Sequence, residues 1–281
     1  MRDDLAPPAE KQYDELQKAS ADLQLSNAAL QHRLAELTAL HEVGLVTGAA
    51  HRIGAEILRC LHGAGMDLAL HYRSSRAPAE ALQAELEAER PGSVLLLQAD
   101  LHRFDALPDM IRQVEARFGR LDLLVNNASS FYPTPLESAS EAEWDDLMGS
   151  NLKAPFFLAQ AAAPLLRTAG GCIVNLVDIH AERPLKDHPI YSAAKAGNAM
   201  LVKALARELG PEVRVNGVAP GAILWPEEYF SDEKRLKILE RIPLGRPGDP
   251  EAIAAAVLFL ATADYVTGQI LAVGGGRSLN I

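Results

Sequence analysis

Seven short apolar runs, each separated from the next by a stretch of helical periodicity, constrain this chain more than any other feature. They fall at residues 43–47, 67–72, 94–99, 121–126, 171–177, 214–218 and 269–273. Between them lie helical patterns, among them 77–89, 108–118, 144–166 and 191–209. Strands that are apolar along their whole length are buried on both faces, and helical crossovers between them make neighbours parallel. The expected fold class is α/β, a doubly wound parallel sheet with helices on both faces. It forms one domain over residues 41–281.

Composition agrees. With 48% hydrophobic and 23% charged residues, the 281-residue chain has the make-up of a globular protein with a large core. Lys and Arg total 27 against 37 Asp and Glu, and the formal net charge of −10 repels phosphate backbones. Nucleic acid is therefore not an expected partner, although a local basic pocket for one phosphorylated cofactor is compatible. Cys60 and Cys172 each sit in apolar stretches, which points to free thiols in a reducing, cytoplasmic location. The start, Met1-Arg2-Asp3-Asp4-Leu5, lacks the pattern of a signal peptide. The longest apolar run, about 252–261, is far short of the roughly 20 residues of a membrane span, so no membrane partner is expected. The eight histidines show no ligand spacing, and no metal site is expected.

Residues 1–40 differ from the rest. They contain no glycine, and Leu16, Leu23, Leu30 and Leu37 recur every seven residues. With those leucines at d, Tyr13, Ser20, Asn27 and Leu34 fall at a, the pattern of a parallel two-stranded coiled coil. Gln17, Gln24, Gln31 and Thr38 at e offer no charge pairing. A helical extension is expected. Whether it pairs between chains or lies against its own domain stays open.

The first apolar run leads into Thr47-Gly48-Ala49-Ala50-His51-Arg52-Ile53-Gly54 and then a helix. Gly48 permits a tight turn, Gly54 allows close backbone approach, and the helix amino end offers N–H groups to a pyrophosphate. This is the dinucleotide loop of a Rossmann-type fold. The second strand ends in His71-Tyr72-Arg73-Ser74, without the carboxylate that would bind a ribose 2′-hydroxyl. Arg73 and Ser74, with Arg52, suit a 2′-phosphate, so NADPH is the expected cofactor. Asp100, closing the third strand, reads either as a partner for the adenine or as an ordinary strand-end carboxylate. Further on, Tyr191-Ser192-Ala193-Ala194-Lys195 opens a helix, and the i, i+4 spacing puts phenol and ammonium on one face. A nearby cation is expected to draw the phenol pKa toward neutrality and fit it for proton exchange.

From residue 43 to 281 the chain resembles the short-chain dehydrogenase/reductase family. The resemblance rests on residues 47–54, Asn126-Asn127-Ala128, Asn151, Tyr191 with Lys195, and Val215-Asn216-Gly217-Val218-Ala219-Pro220-Gly221. It implies Tyr191 as proton donor, Lys195 as its activator and ribose ligand, and Asn151 as anchor of a proton relay. It also implies a cofactor set of Gly48, Arg52, Ile53, Gly54, His71, Tyr72, Arg73, Ser74, Asp100, Leu101, Asn127, Ala128, Ser129, Tyr191, Lys195, Pro220 and Gly221. Family resemblance further implies a homotetramer, with helix faces such as 144–166 between subunits.

One departure is informative. Asp178 stands where most members carry serine, and an ionised carboxylate can only accept hydrogen bonds. It would oppose the oxyanion of a ketone but accept from ring N–H groups, or donate if protonated. With Arg52, the 71–74 cluster and Asn126-Asn127-Ala128-Ser129-Ser130-Phe131-Tyr132-Pro133-Thr134-Pro135, it resembles the pteridine reductase subgroup. The substrate contacts implied are Arg52, Ser129, Phe131 as an aromatic platform, Asp178 and Tyr191. In the segment 222–241, Trp225 either closes over the ligand or anchors the loop. The expected activity is NADPH-dependent reduction of a dihydropterin, possible substrates extending to dihydrofolate or oxidised pterins. The alternatives are a carbonyl reductase of 3-oxoacyl thioesters and an NADP-binding scaffold protein.

Overall fold

The computed structural model describes residues 42–223 and 232–279, so the leucine-repeat prefix and Trp225 lie outside the described residues. The elements run β1 (Val43–Val46), α1 (Arg52–Gly63), β2 (Asp67–Tyr72), α2 (Arg76–Glu89), β3 (Val94–Gln98), α3 (Leu107–Phe118) and β4 (Leu123–Asn126). They continue through α4 (Glu141–Met148), α5 (Ala154–Ala169), β5 (Cys172–Leu176), α6 (Pro189–Leu209), β6 (Arg214–Pro220), α7 (Asp232–Leu239), α8 (Pro250–Thr262) and β7 (Ile270–Val273). All strand pairs are parallel, in the order β3-β2-β1-β4-β5-β6-β7. The seven expected strands are the seven found.

Apolar residues at every strand position follow from having a core on each side. Leu68 and Leu70 of β2 share one core with Ile57 and Leu61 of α1 and Val257 of α8. Ala69, between them, points to the other face and joins Met110 of α3, Leu158 of α5 and Val202 of α6. The same alternation puts Val125 and Val174 in the first core and Leu124 and Ile173 in the second. Burial of this kind contributes about 1.5–3 kcal/mol per large aliphatic side chain, before conformational entropy is subtracted.

The expectation of one helix over 144–166 is corrected. The chain forms α4, then a π turn at Gly149–Lys153, then α5. Pro155 has no N–H to give the carbonyl four residues back, that of Asn151, so the regular ladder cannot pass through this point. Ser140 caps the start of α4 in a reciprocal box with Glu143. Among the described residues no helix is long and apolar enough to cross a membrane.

Candidate active site

The sheet order reverses between β1 and β4, and open α/β sheets bind ligands beyond the carboxyl ends of strands at such a point. A cleft of about 400 Å³ lies there, lined by residues 48, 50–54, 71–75, 100–102, 127–130 and 150. Of the expected cofactor residues, Gly48, Arg52, Ile53, Gly54, His71, Tyr72, Arg73, Ser74, Asp100, Leu101, Asn127, Ala128 and Ser129 all line it. Tyr191 and Lys195 on α6, and Pro220 and Gly221 at the end of β6, are not part of that lining.

The loop's shape explains its glycines. Gly48 has φ +61°, and a Cβ there would stand 2.9 Å from the Ala128 Cα. A Cβ on Gly54 would meet the Asn127 Nδ2 and the Gly48 carbonyl oxygen at 2.6 Å each. Arg52 is exposed and has φ +52°, a left-handed conformation that costs a non-glycine residue about 1–2 kcal/mol. His51 gives α1 no side-chain cap, and the first turn holds no acid, whereas Ser140 and Asp249 cap α4 and α8. The amino end of α1 thus keeps N–H groups for an anion. This cradle, with its room only for glycine, fits the diphosphate of a nicotinamide dinucleotide.

Polar side chains brace the loop from below. Asn127 Nδ2 donates to the Thr47 and Gly48 carbonyls at 2.8 and 3.0 Å, and the Thr47 hydroxyl accepts from the Asn127 and Ala128 N–H groups, both at 3.0 Å. His71 is buried, and its Nδ1 accepts from the Gly48 N–H at 3.1 Å. That contact puts the proton on Nε2, which donates to the Ala99 carbonyl at 3.1 Å. Burial pushes the His71 pKa down to about 4, so the ring is neutral and bridges Ala99, just past β3, to the glycine turn. Both of its nitrogens are taken by backbone. Asp100 Oδ1 accepts from the His102 N–H at 3.1 Å, which holds its carboxyl below the usual range.

Past the end of β5, Asp178 caps the short turn Ile179–Ala181, its Oδ1 accepting from the His180 N–H at 2.8 Å. Its Oδ2 accepts from the Tyr191 hydroxyl at 2.7 Å. Lys195 is buried, donates from Nζ to the Leu176 carbonyl at 2.8 Å, and holds that atom 5.7 Å from the Tyr191 ring centroid. Burial lowers its pKa to about 8, with Asp178 working the other way.

The expectation that Lys195 brings the phenol toward neutrality is overturned for this state of the site. Burial first, then the charge and hydrogen bond of Asp178, push the Tyr191 pKa well up, and only the Ser129 hydroxyl beside it lowers it. A phenol held protonated is a proton donor rather than a base. Ser129 donates to Asn151 Oδ1 at 2.6 Å, which joins the cleft wall to the π turn. Phe131 is 52% exposed, stacks on His188 at 4.9 Å between centroids, and meets Tyr191 edge-on at 4.8 Å.

The sequence reading missed three residues here. Asn175 and Asn198 are buried and bonded to each other, and Asn198 follows Tyr191 at i+7 and Lys195 at i+3 on the same helix face. That spacing, and an asparagine inside an apolar strand, were legible signals. Arg277, on the turn Arg277–Leu279, has a buried Nε with no hydrogen-bond partner among the described residues and feels the charge of Asp178. No sequence pattern marks it. Among the described residues no group of three His, Cys, Asp or Glu side chains is placed to hold a metal ion.

Fold, phosphate cradle and tyrosine–lysine pair together define a nicotinamide-dinucleotide oxidoreductase. A family model described as enoyl-(acyl carrier protein) reductase matches residues 48–278, and the chain belongs to the short-chain dehydrogenase/reductase family. It is similar to pteridine reductase 1 of Leishmania tarentolae, 36% identical over 280 residues and covering 84% of this chain and 96% of that protein. It is also 38% identical over 242 residues to a 3-oxoacyl-[acyl-carrier-protein] reductase of Staphylococcus epidermidis, covering 84% of this chain and 99% of that one. An acetoacetyl-CoA reductase of Rhizobium meliloti is 34% identical over 244 residues, with 85% and 99% covered.

Proposed function

We propose that this protein is an NADPH-dependent pteridine reductase that reduces a dihydropterin, with dihydrofolate and oxidised pterins as related substrates. The observation that carries this reading is the 2.7 Å bond from the Tyr191 hydroxyl to the Asp178 carboxylate. A ketone substrate needs hydrogen-bond donors around its developing oxyanion, and a carboxylate there destabilises that charge. A pterin presents N–H groups that a carboxylate accepts. The name of the Leishmania relative supports the same class.

Bound NADPH supplies the hydride. Tyr191, kept protonated by burial and by Asp178, donates its proton to the ring nitrogen beside the reduced carbon. Asp178 accepts from the pterin's N–H groups and fixes its orientation. The half-exposed ring of Phe131 would stack on the flat ring, with Ser129 and Arg52 as further contacts. Lys195 and Asn151 hold the tyrosine and the cleft wall in place. At the end of β2, Arg73 and Ser74 are exposed at the cleft with no carboxylate among them, which supports NADPH over NADH.

A second reading, reduction of a 3-oxoacyl thioester, is favoured by the comparable identity of the two carbonyl reductases. Asp178→Ser separates the two. It should lower dihydropterin turnover about a hundredfold while leaving NADPH affinity unchanged. Unaltered pterin turnover in that variant would overturn the reading. We further propose a cytoplasmic homotetramer. The support is a set of apolar side chains open to solvent on the helices that follow β4 and β5, Trp144, Phe156 and Met200, and on the far edge, Phe259 and Leu271.

A further inference from the structure

Four asparagines form a buried amide chain beneath the site. Asn126 Nδ2 donates to Asn175 Oδ1 at 2.8 Å, Asn175 Nδ2 to Asn198 Oδ1 at 2.7 Å, and Asn198 Nδ2 to the main-chain carbonyl of Asn151 at 2.9 Å. All four residues are at most 3% exposed. An amide can be turned either way, but here the direction is forced. The Asn151 carbonyl is only an acceptor, so Asn198 must face it with its NH₂ group. The Asn198 oxygen then faces Asn175, which must offer its own NH₂, and the same holds for Asn126. Asn126 Oδ1, at the head of the chain, is left without a partner among the described residues, as that polarity requires.

The Asn151 carbonyl needs this donor because Pro155 cannot supply the helical N–H. Asn151 in turn carries the cleft wall. Its Nδ2 donates to the Ser130 carbonyl at 3.0 Å, and its Oδ1 takes the Ser129 hydroxyl at 2.6 Å. Ser129 is the hydroxyl beside Tyr191. With Asn151 held, the Ser129 hydroxyl donates to Asn151 Oδ1 and keeps a fixed place beside the phenol.

We propose that Asn198 is a positioning residue for hydride transfer: it caps the Asn151 carbonyl released at Pro155 and so sets the Ser129–Ser130 wall against Tyr191. The role goes beyond the choice of substrate and applies to either class.

Asn198→Asp tests it at constant side-chain size. Ionised, the new carboxylate can still accept from Asn175 but cannot donate to Asn151. Protonated, it can do both. At pH 8 the variant should turn over about tenfold more slowly than the parent, since small displacements of a reacting group cost one to two orders of magnitude. NADPH affinity, read by fluorescence titration, should stay within about twofold, because this hydrogen bond lies away from the phosphate cradle. The ratio of variant to parent rate should recover as the pH falls toward 6, whereas Asn198→Leu should show the loss without recovery. Rates are taken on a dihydropterin and on an acetoacetyl thioester. An error in substrate class changes parent and variant alike and leaves their ratio intact. A pH-independent deficit in Asn198→Asp, a deficit that tracks only a lowered melting temperature, or a parent-like rate at pH 8 would overturn the proposal.

Discussion

Lys195→Met should make the protein more stable and inactive at once. The ammonium is buried, with one bond of 2.8 Å to the Leu176 carbonyl, and burial lowers its pKa from 10.5 to about 8. Above pH 10.5 the amine is neutral in folded and unfolded chains alike, and its titration costs nothing. As the pH falls from 10.5 to about 8, the unfolded chain takes up a proton that the folded one refuses, and stability declines. Below about pH 8 the penalty is complete, at about 3 kcal/mol. Methionine has a similar shape and no charge, but it leaves the Leu176 carbonyl without that donor, a loss of about 1 kcal/mol. The net gain at pH 7 is then about 2 kcal/mol, or a rise of about 4–8 °C in melting temperature. Thermal melts of both proteins without cofactor, from pH 7 to 10, measure it. The gain should hold from pH 7 to about 8 and then shrink toward zero by pH 10. A variant less stable than the parent at pH 7, or a gain independent of pH, would refute the reasoning.

Arg52→Gly should have the same opposition of signs. Relief of the left-handed backbone at φ +52° should add about 1 kcal/mol of stability, while loss of the guanidinium weakens NADPH binding about tenfold. A fall in stability would mean the conformation is not strained. Gly54→Ala places a methyl group 2.6 Å from the Asn127 amide and the Gly48 carbonyl, and should cost about 1–3 kcal/mol while disrupting NADPH binding. Isothermal titration showing parent-like affinity would contradict the tight fit ascribed to the loop.

The sheet was legible because parallel strands with two cores are apolar throughout, a pattern that survives without knowledge of any partner. The cofactor cleft was legible for a similar reason. Gly48 and Gly54 are needed by local geometry, and His71 through Ser74 must lie at the carboxyl end of β2 by chain connectivity. What escaped were effects that depend on long-range neighbours. The π turn at Gly149–Lys153 breaks what reads as one helix, although Pro155 stands in the sequence as its cause. The protonated state of Tyr191 depends on Asp178, 13 residues away, and on burial that no spacing reveals. Asn126, Asn175, Asn198 and Asn151 come from four separate segments and become one hydrogen-bonded chain only after the fold has formed.

The most direct measurement follows the oxidation of NADPH by the purified protein, with a dihydropterin in one series and an acetoacetyl thioester in the other. NADH is run in parallel. If Asp178 beside Tyr191 defines the site, the dihydropterin is turned over with NADPH preferred, and the thioester is a poor substrate. Turnover of the thioester alone would contradict that, and would mean that the carboxylate at position 178 tolerates a carbonyl.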